Sequence, residues 1–173
     1  GNYRFHPDGT VTFLDFGLVK YFTAAEDDSL VPTIDEVLAG DAAALVVAME
    51  RAGFLHPGHG LDPDQVLRTV SAPYLAYLDE TFTFTPDYAR VAMSALLDVR
   101  GPNADVLAAL DMPPSFVLLD RVVWGVSSLL GRLQAHNRWR GILQEYLHGG
   151  APVTDLGLEE QRWRLGRVGR NRR

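Results

Sequence analysis

The chain has 173 residues, 47% of them apolar, which is enough to bury one good-sized core and leads us to expect a single structural unit. It contains no cysteine, so disulfide bonds, thiolate metal sites and a thiol nucleophile are excluded. The formal net charge is −6, but residues 162–173 contain arginines and no acid, so the body of the chain is acidic and its end is basic.

The first predicted element is a β-hairpin. Two short segments, Tyr3–His6 and Thr10–Leu14, are rich in aromatic and β-branched residues. Pro7-Asp8-Gly9 lies between them and is a strong signal for a tight turn. We therefore expect two antiparallel strands within residues 3–14.

The type of turn decides which residues of this hairpin face each other. A two-residue turn would place Tyr3 opposite Leu14 and Asn2 opposite Asp15. A type I turn, with the proline at its second position and the glycine left-handed, would shift this register by about one residue. Facing α-carbons of antiparallel strands lie roughly 4.5 to 5.5 Å apart. Either turn thus brings the amide of Asn2 close to the carboxylate of Asp15.

Asn2 and Asp15 carry the oxygen ligands that suit Mg²⁺. This ion keeps several waters and relies on substrate phosphates, so two protein ligands are sufficient. In protein kinases, an Asn of the catalytic loop and the Asp of an Asp-Phe-Gly motif hold the magnesium ions that bridge the nucleotide phosphates. The sequence therefore predicts Asn2 and Asp15 as metal ligands, with Phe16 and Gly17 completing the cofactor-binding motif.

Helices are predicted for most of the remaining chain. Capping patterns mark three helix starts, at Thr23, Asp41 and Asp62. We expect Pro32 to interrupt or kink the first helix, and Gly53 to end the second. Further helices are expected over residues 86–99, 103–110, 114–133 and 139–147, with two glycines closing the last. The predicted fold class is mainly α with a short N-terminal β-hairpin.

Residues 116–130 form the longest apolar stretch, which includes Asp120 and Arg121. It is shorter than the roughly 20 apolar residues that a membrane-spanning helix requires. We therefore expect a buried core helix and no transmembrane segment in this chain. Because a charge in apolar surroundings requires a partner, Arg121 is expected to form a structural ion pair rather than to contact a substrate.

The histidines give little indication of a metal site. His56 and His59 are close in sequence, but the proline and glycine between them place both in a loop. No carboxylate or cysteine stands beside them at a recognisable metal-ligand spacing. The other histidines are expected at the surface or partly buried: His6, His136 and His148.

Residues 162–173 are predicted to be a basic C-terminal tail, separate from residues 1–161. Such a tail could contact anionic lipid or nucleic acid. A solvated, frayed terminus is the more usual interpretation of such a segment. Nucleic-acid binding is not supported, since Trp163 is the only aromatic residue among these arginines.

Several motifs together resemble the C-lobe of the UbiB/AarF family of atypical kinases. The resemblance covers most of the chain, and the first twenty residues carry nearly all of its chemical specificity. These residues are Gly1-Asn2, the Pro-Asp-Gly hairpin and Leu14-Asp15-Phe16-Gly17 followed by Leu18-Val19. The weaker matches are Gly40-Asp41, Ala52-Gly53-Phe54-Leu55, Met112-Pro113-Pro114, Leu118-Leu119-Asp120-Arg121 and Gly125.

The resemblance implies a fold, an activity and partners. Residues 1–161 would be part of a kinase-like C-lobe, and the protein would use Mg²⁺ and ATP for phosphoryl transfer or ATP hydrolysis. The family supports isoprenoid quinone (ubiquinone) biosynthesis and lipid homeostasis, so isoprenoid lipids or quinone-biosynthesis proteins are the implied partners. A cytoplasmic location, or one peripheral to a membrane, is expected.

Departures from the family pattern limit what this chain is expected to do. In the family, His-x-Asp-x-His-Pro precedes Gly-Asn and supplies the catalytic carboxylate, and a Lys-x-Gly-Gln motif and a Lys-Glu pair serve the nucleotide. None of these is in the sequence. We therefore expect a C-terminal piece of a longer protein that is inactive by itself.

Two plainer interpretations stand beside this one. An isolated Asp-Phe-Gly occurs by chance in many proteins, where the Asp caps a turn and the Phe packs in a core. Alternatively, the chain is a non-catalytic, pseudokinase-like helical interaction module that keeps the fold without turnover.

Overall fold

The computed structural model of the chain is mainly helical, with a short antiparallel β-hairpin at its N-terminal end. It describes residues 2–16, 19, 21–97 and 100–170. The elements in chain order are β1 (Tyr3–Phe5), β2 (Val11–Phe13), α1 (Ala24–Ala39), α2 (Ala42–Ala52), α3 (Pro63–Val70), a 3₁₀ helix (Ala72–Tyr77), β3 (Phe82–Thr83), α4 (Pro86–Leu97), α5 (Ala104–Ala109), α6 (Pro114–Arg132), β4 (His136–Asn137), α7 (Trp139–His148) and α8 (Asp155–Arg170).

The register of the hairpin differs by one residue from that of a two-residue turn. Tyr3 faces Phe13, so the expected pairing of Tyr3 with Leu14 is wrong, as is the direct pairing of Asn2 with Asp15. Leu14 instead lies opposite Asn2 and donates its backbone N–H to the Asn2 carbonyl (2.9 Å). The type I alternative, with its shift of one residue, is the one that forms.

The turn itself explains this register. Gly9 adopts a left-handed conformation (φ 83°) and donates its N–H to the carbonyl of His6 (3.0 Å). The N–H of His6 in turn donates to the carbonyl of Thr10 (3.0 Å), which closes a loop of three residues. Only glycine adopts this backbone conformation without steric cost, so the turn depends on it.

The helix starts agree with the capping patterns. Thr23 and Glu26 form a complete capping box, in which each side chain accepts the other residue's backbone N–H. The Asp41 carboxylate accepts from the N–H of Ala44 (2.9 Å), and α2 ends at a left-handed Gly53. These contacts supply partners for the backbone donors that a helix start leaves open.

Pro32 does not interrupt α1, which continues from Ala24 to Ala39. Proline cannot donate to the carbonyl four residues earlier, here that of Asp28. Both residues are exposed, so water can reach the carbonyl and the loss is small. Burial of Thr33, Ile34 and Val37 on the opposite side stabilises the continuous helix.

One hydrophobic core joins the first half of the chain to the start of α6. Its buried members come from five helices and from the segment that follows α2: Val37, Leu45, Met49, Phe54, Leu55, Val66, Val106 and Phe116. The rings of Phe54 and Phe116 meet edge to face, with centroids 5.3 Å apart. The N–H of Asp111 donates to the carbonyl of Phe54 (2.9 Å), which ties the start of α6 to this core.

A second, aromatic cluster holds the middle of the chain to α7. Phe84 is 1% exposed and makes edge-to-face contacts with Tyr88 and Trp139. The Trp139 indole N–H donates to the carbonyl of Phe82 (2.9 Å), beside the short β3–β4 ladder. The Tyr88 hydroxyl donates to the carbonyl of Pro73 (3.0 Å) and so connects α4 to the 3₁₀ helix.

The α6 helix is only half-buried, which corrects the expectation of a buried core helix. Phe116 and Ser127 are buried, whereas Val122 is 53% exposed. Arg121 is exposed, so its charge is solvated and needs no partner. The expectation of a structural ion pair there is wrong, since Arg121 takes part in none of the ion pairs between described residues.

The predicted C-terminal tail is helical over residues 162–170, which form the second half of α8. The side chains of residues 161–166 are exposed along this half. Across the ranges that the structure describes, no helix combines the length and apolar character needed to cross a bilayer.

Candidate metal site

The hairpin brings Asn2 and Asp15 together at its open end. The backbone bond between Leu14 and Asn2 (2.9 Å) fixes the two chain segments at this point. β2 ends at Phe13, so the alternation of side chains along the strand does not determine the direction of the Asp15 side chain. The Asn2 amide Nδ2 donates to the Asp15 carboxylate Oδ2 across 3.3 Å. The sequence prediction that these two side chains lie close together is therefore correct, in the register of the type I turn.

The donor set fits a magnesium ion. Mg²⁺ binds oxygen ligands at about 2.0–2.1 Å in an octahedron, so neighbouring ligands lie roughly 3 Å apart. The separation of 3.3 Å between the Asn2 and Asp15 side chains is close to that spacing. Both residues are exposed, which leaves room for waters and phosphate oxygens in the remaining positions. Rotation of the Asn2 amide by half a turn would present its oxygen to the same point.

The other end of the hairpin is stabilised by its own side chains. The Asp8 carboxylate accepts from both the backbone N–H (3.0 Å) and the hydroxyl (2.7 Å) of Thr10, and these bonds lower the pKa of Asp8. His6 Nε2 and the Thr12 hydroxyl are 2.8 Å apart. Asp8 therefore has its partners in the turn, at the opposite end of the hairpin from Asn2 and Asp15.

Aromatic side chains of the hairpin contact each other and line a cleft shared with the end of α6. Tyr3 and Phe13 meet edge to face on one side of the ladder, with ring centroids 5.3 Å apart. Tyr3 and Phe5 also line a cleft of about 350 Å³ with Leu129 and Leu133 at the end of α6. The first strand of the hairpin therefore lies across this cleft from the end of α6.

Phe16 and Gly17 are the other residues predicted for the site. Phe16 is 72% exposed, and Gly17 lies outside the described residues. Within the described parts of the chain, no cluster of three or more carboxylate or imidazole side chains could hold a metal. An ion held by Asn2 and Asp15 would have to take its remaining ligands from outside these two side chains.

The two loop histidines point to different carboxylates. His56 Nε2 lies 3.6 Å from Asp111, and His59 Nε2 lies 3.7 Å from Glu50. His59 Nδ1 also accepts the backbone N–H of Leu61 (2.9 Å). Because His59 already has partners on both ring nitrogens, its role is to hold the loop after α2.

Two surface features were not anticipated from the sequence. A groove of about 520 Å³ runs between α1 and α2. At the other end of the chain, Glu160 accepts from the Tyr146 hydroxyl (2.5 Å) and from Arg164. The bond to Glu160 raises the pKa of Tyr146, and both bonds lower the pKa of Glu160. The run of acids in α1 was the available signal for the first feature, since residues 26–28 and 35–36 are all acidic.

No protein-family model matches this chain, and no curated protein matches it significantly.

Proposed function

We propose that this chain supplies the metal-binding side of an ATP-dependent phosphotransferase or ATPase similar to the UbiB/AarF atypical kinases. The observation that carries this proposal is the contact of 3.3 Å between Asn2 and Asp15 at the end of a hairpin. That contact supports a shared site for Mg²⁺ and the phosphates of ATP. The proposal includes a kinase-like C-lobe over residues 1–161.

In this proposal, Asp15 is the principal metal ligand and Asn2 is a neutral second ligand. One carboxylate beside a divalent ion leaves a net positive charge, which attracts nucleotide phosphates. A bound Mg²⁺ would neutralise the charge that develops on the transferred phosphoryl group. Asn2 would help to fix the position of the ion without cancelling more of that charge.

The isolated chain is proposed to bind MgATP weakly and to lack turnover. The sequence has one lysine, Lys20, and no Lys-x-Gly-Gln or His-x-Asp-x-His-Pro motif. Phosphoryl transfer depends on positioning and on charge stabilisation from several sides. With only one side of the phosphate site present, we expect a dissociation constant near the millimolar range. This corresponds to a binding free energy of roughly 4 kcal/mol. A role in isoprenoid quinone biosynthesis or lipid homeostasis belongs to the same proposal.

The alternative is a non-catalytic, pseudokinase-like interaction module. The exposed groove between α1 and α2 favours this alternative, because it is a binding surface that a phosphoryl-transfer site does not require. The two functions differ in how ATP binding depends on magnesium. An interaction module needs neither ATP nor Mg²⁺, whereas the enzyme-like site binds ATP only together with Mg²⁺.

Calorimetric or NMR titration with ATP tests the proposal. We expect weak binding that requires Mg²⁺, disappears with EDTA and is lost in Asp15→Asn. Asp8→Asn is the matched control, because it changes the same residue type at the other end of the hairpin and should bind like wild type. ATP binding that persists in EDTA or in Asp15→Asn would contradict the proposal. A complete absence of binding in the wild type would favour the interaction module.

A further inference from the structure

We propose that the α1–α2 groove binds the basic helix α8 of a second copy of this chain. Reciprocal exchange of the two helices would form a closed dimer with twofold symmetry. This inference is independent of the proposed nucleotide site.

The groove has the shape and the chemistry of a helix-binding site. Its floor on α2 is made of small apolar residues, with Ala44 and Ala48 on either side of Val47. Val47 is 45% exposed, so no part of the chain that the structure describes covers the floor. Small side chains let a second helix approach closely. Covering an exposed valine stabilises the complex because it removes apolar surface from water.

The α1 wall of the groove is strongly acidic. This helix has no basic residue, and its carboxylates are Glu26, Asp27, Asp28, Asp35 and Glu36. Asp28 and Glu36 line the groove itself, and the one base among its lining residues is Arg51 on α2. Pro32 also lines it and removes the donor that the Asp28 carbonyl has in a regular helix. The wall therefore offers the Asp28 and Glu36 carboxylates, together with the Asp28 carbonyl, to a cationic hydrogen-bond donor.

Helix α8 has the complementary features. After Glu160 it carries Arg162, Arg164, Arg167 and Arg170 and no acid. Leu158, Arg162 and Leu165 lie at spacings of four and three residues, which places them on one face of the helix. Leu158 is 39% exposed and Leu165 is 69% exposed. This face has two apolar anchors on either side of an arginine, which is the pattern by which a helix binds in a groove.

Leu158 and Leu165 lie away from the contacts that the structure describes between α8 and α7. The helix packs on α7 through a different face: Glu160 accepts from the Tyr146 hydroxyl (2.5 Å), and a β-carbon on Gly157 would lie 3.0 Å from the Glu145 carboxylate. The exposure of both Leu165 and Val47 means that helix and groove do not meet within one copy. A second copy presents the same groove and the same face of α8. Each copy can therefore bind α8 of the other, which closes the dimer.

Sedimentation velocity over a range of concentrations tests this inference. We expect the wild type to dimerise, with weaker association at high salt because the contact is partly electrostatic. Leu165→Asp and Val47→Asp should each weaken dimerisation at least about tenfold. Leu156→Asp is the matched control on the opposite side of α8, where Leu156 is 75% exposed, and it should dimerise like wild type. A wild type that is monomeric at about 1 mM, or equal effects of the two leucine changes, would overturn the proposal.

Disulfide trapping identifies the occupant of the groove. Because the chain has no cysteine, Val47→Cys and Leu165→Cys each introduce a single thiol. When the two variants are mixed and oxidised, we expect a crosslink between chains, and much less crosslinking between Val47→Cys and Leu156→Cys. Equal crosslinking with both leucine positions would contradict the assignment. A chain with cysteines at 47 and 165 that closes on itself as a monomer would show that α8 binds its own groove, and would overturn the exchange.

Discussion

Gly131 of α6 lies directly against Thr85: a β-carbon on residue 131 would be 2.6 Å from the Thr85 carbonyl oxygen. No real pair of such atoms comes that close, so α6 and the start of α4 must separate if residue 131 is larger. The atom in the way belongs to the backbone and cannot rotate aside. This contact therefore sets the distance between the two helices.

Gly131→Ala should destabilise the protein by about 1–3 kcal/mol or more, because overpacking at this point moves α6 away from α4. Gly125→Ala is the control in the same helix, where nothing lies within 4 Å of the added β-carbon. It should be neutral or stabilising by up to about 1 kcal/mol, since alanine favours helix more than glycine does. Urea unfolding of both variants measures the difference. Equal stability of the two would show that the helices are not in close contact.

The aromatic cluster predicts a loss of stability at alkaline pH. Burial raises the pKa of Tyr88 from 10.0 to about 12, and burial also raises the pKa of Tyr77. A folded-state pKa above the unfolded value means that the stabilisation is fully present below pH 10 and is lost as the pH rises from 10 through 12. Thermal unfolding across that range should follow this decline.

Tyr88→Phe separates the two roles of this hydroxyl. Near pH 7 the variant should lose about 1–3 kcal/mol, because the Pro73 carbonyl loses its donor. Between pH 10 and 12 it should lose less stability than wild type, because residue 88 no longer ionises. Tyr21→Phe, at a position that is 84% exposed, serves as the control. An identical alkaline decline in Tyr88→Phe and wild type would contradict the assignment to Tyr88.

The position of the main core can be tested with one pair of leucines. Leu45 is fully buried in the main core, whereas Leu156 on α8 is 75% exposed. Leu45→Ala should cost about 2–5 kcal/mol, from lost burial and the cavity left behind. Leu156→Ala should change the unfolding free energy by no more than about 0.5 kcal/mol. A larger loss from Leu156→Ala than from Leu45→Ala would show that the core is misplaced.

Local chemistry made much of this fold predictable. The starts of α1, α2 and α3 follow from the capping side chains of Thr23, Asp41 and Asp62, each of which binds a backbone N–H within three residues. Such contacts depend only on the neighbouring sequence. The expected interruption of α1 at Pro32 was wrong, because burial on the other side of the helix outweighs one lost hydrogen bond.

Features that depend on distant partners were not predictable in the same way. The β3–β4 ladder pairs Phe82 with Asn137, and each strand has two residues, too few to show an alternating pattern. The α8 helix contains several glycines, which lower its helical propensity, and it gains contacts with Tyr146 on α7. At the candidate site, proximity of Asn2 and Asp15 was predictable from the hairpin, but the exact register depended on the turn.

Paramagnetic mapping with Mn²⁺ is the most direct test of the candidate metal site. Mn²⁺ prefers the same oxygen ligands as Mg²⁺ and broadens the NMR signals of nearby nuclei. We expect selective broadening at residues 2–4 and 12–16 in the wild type, and its loss in Asp15→Asn. Asp8→Asn should keep the wild-type pattern. Broadening centred on the acidic residues 26–28 of α1, or broadening at the hairpin that persists in Asp15→Asn, would contradict a metal site formed by Asn2 and Asp15.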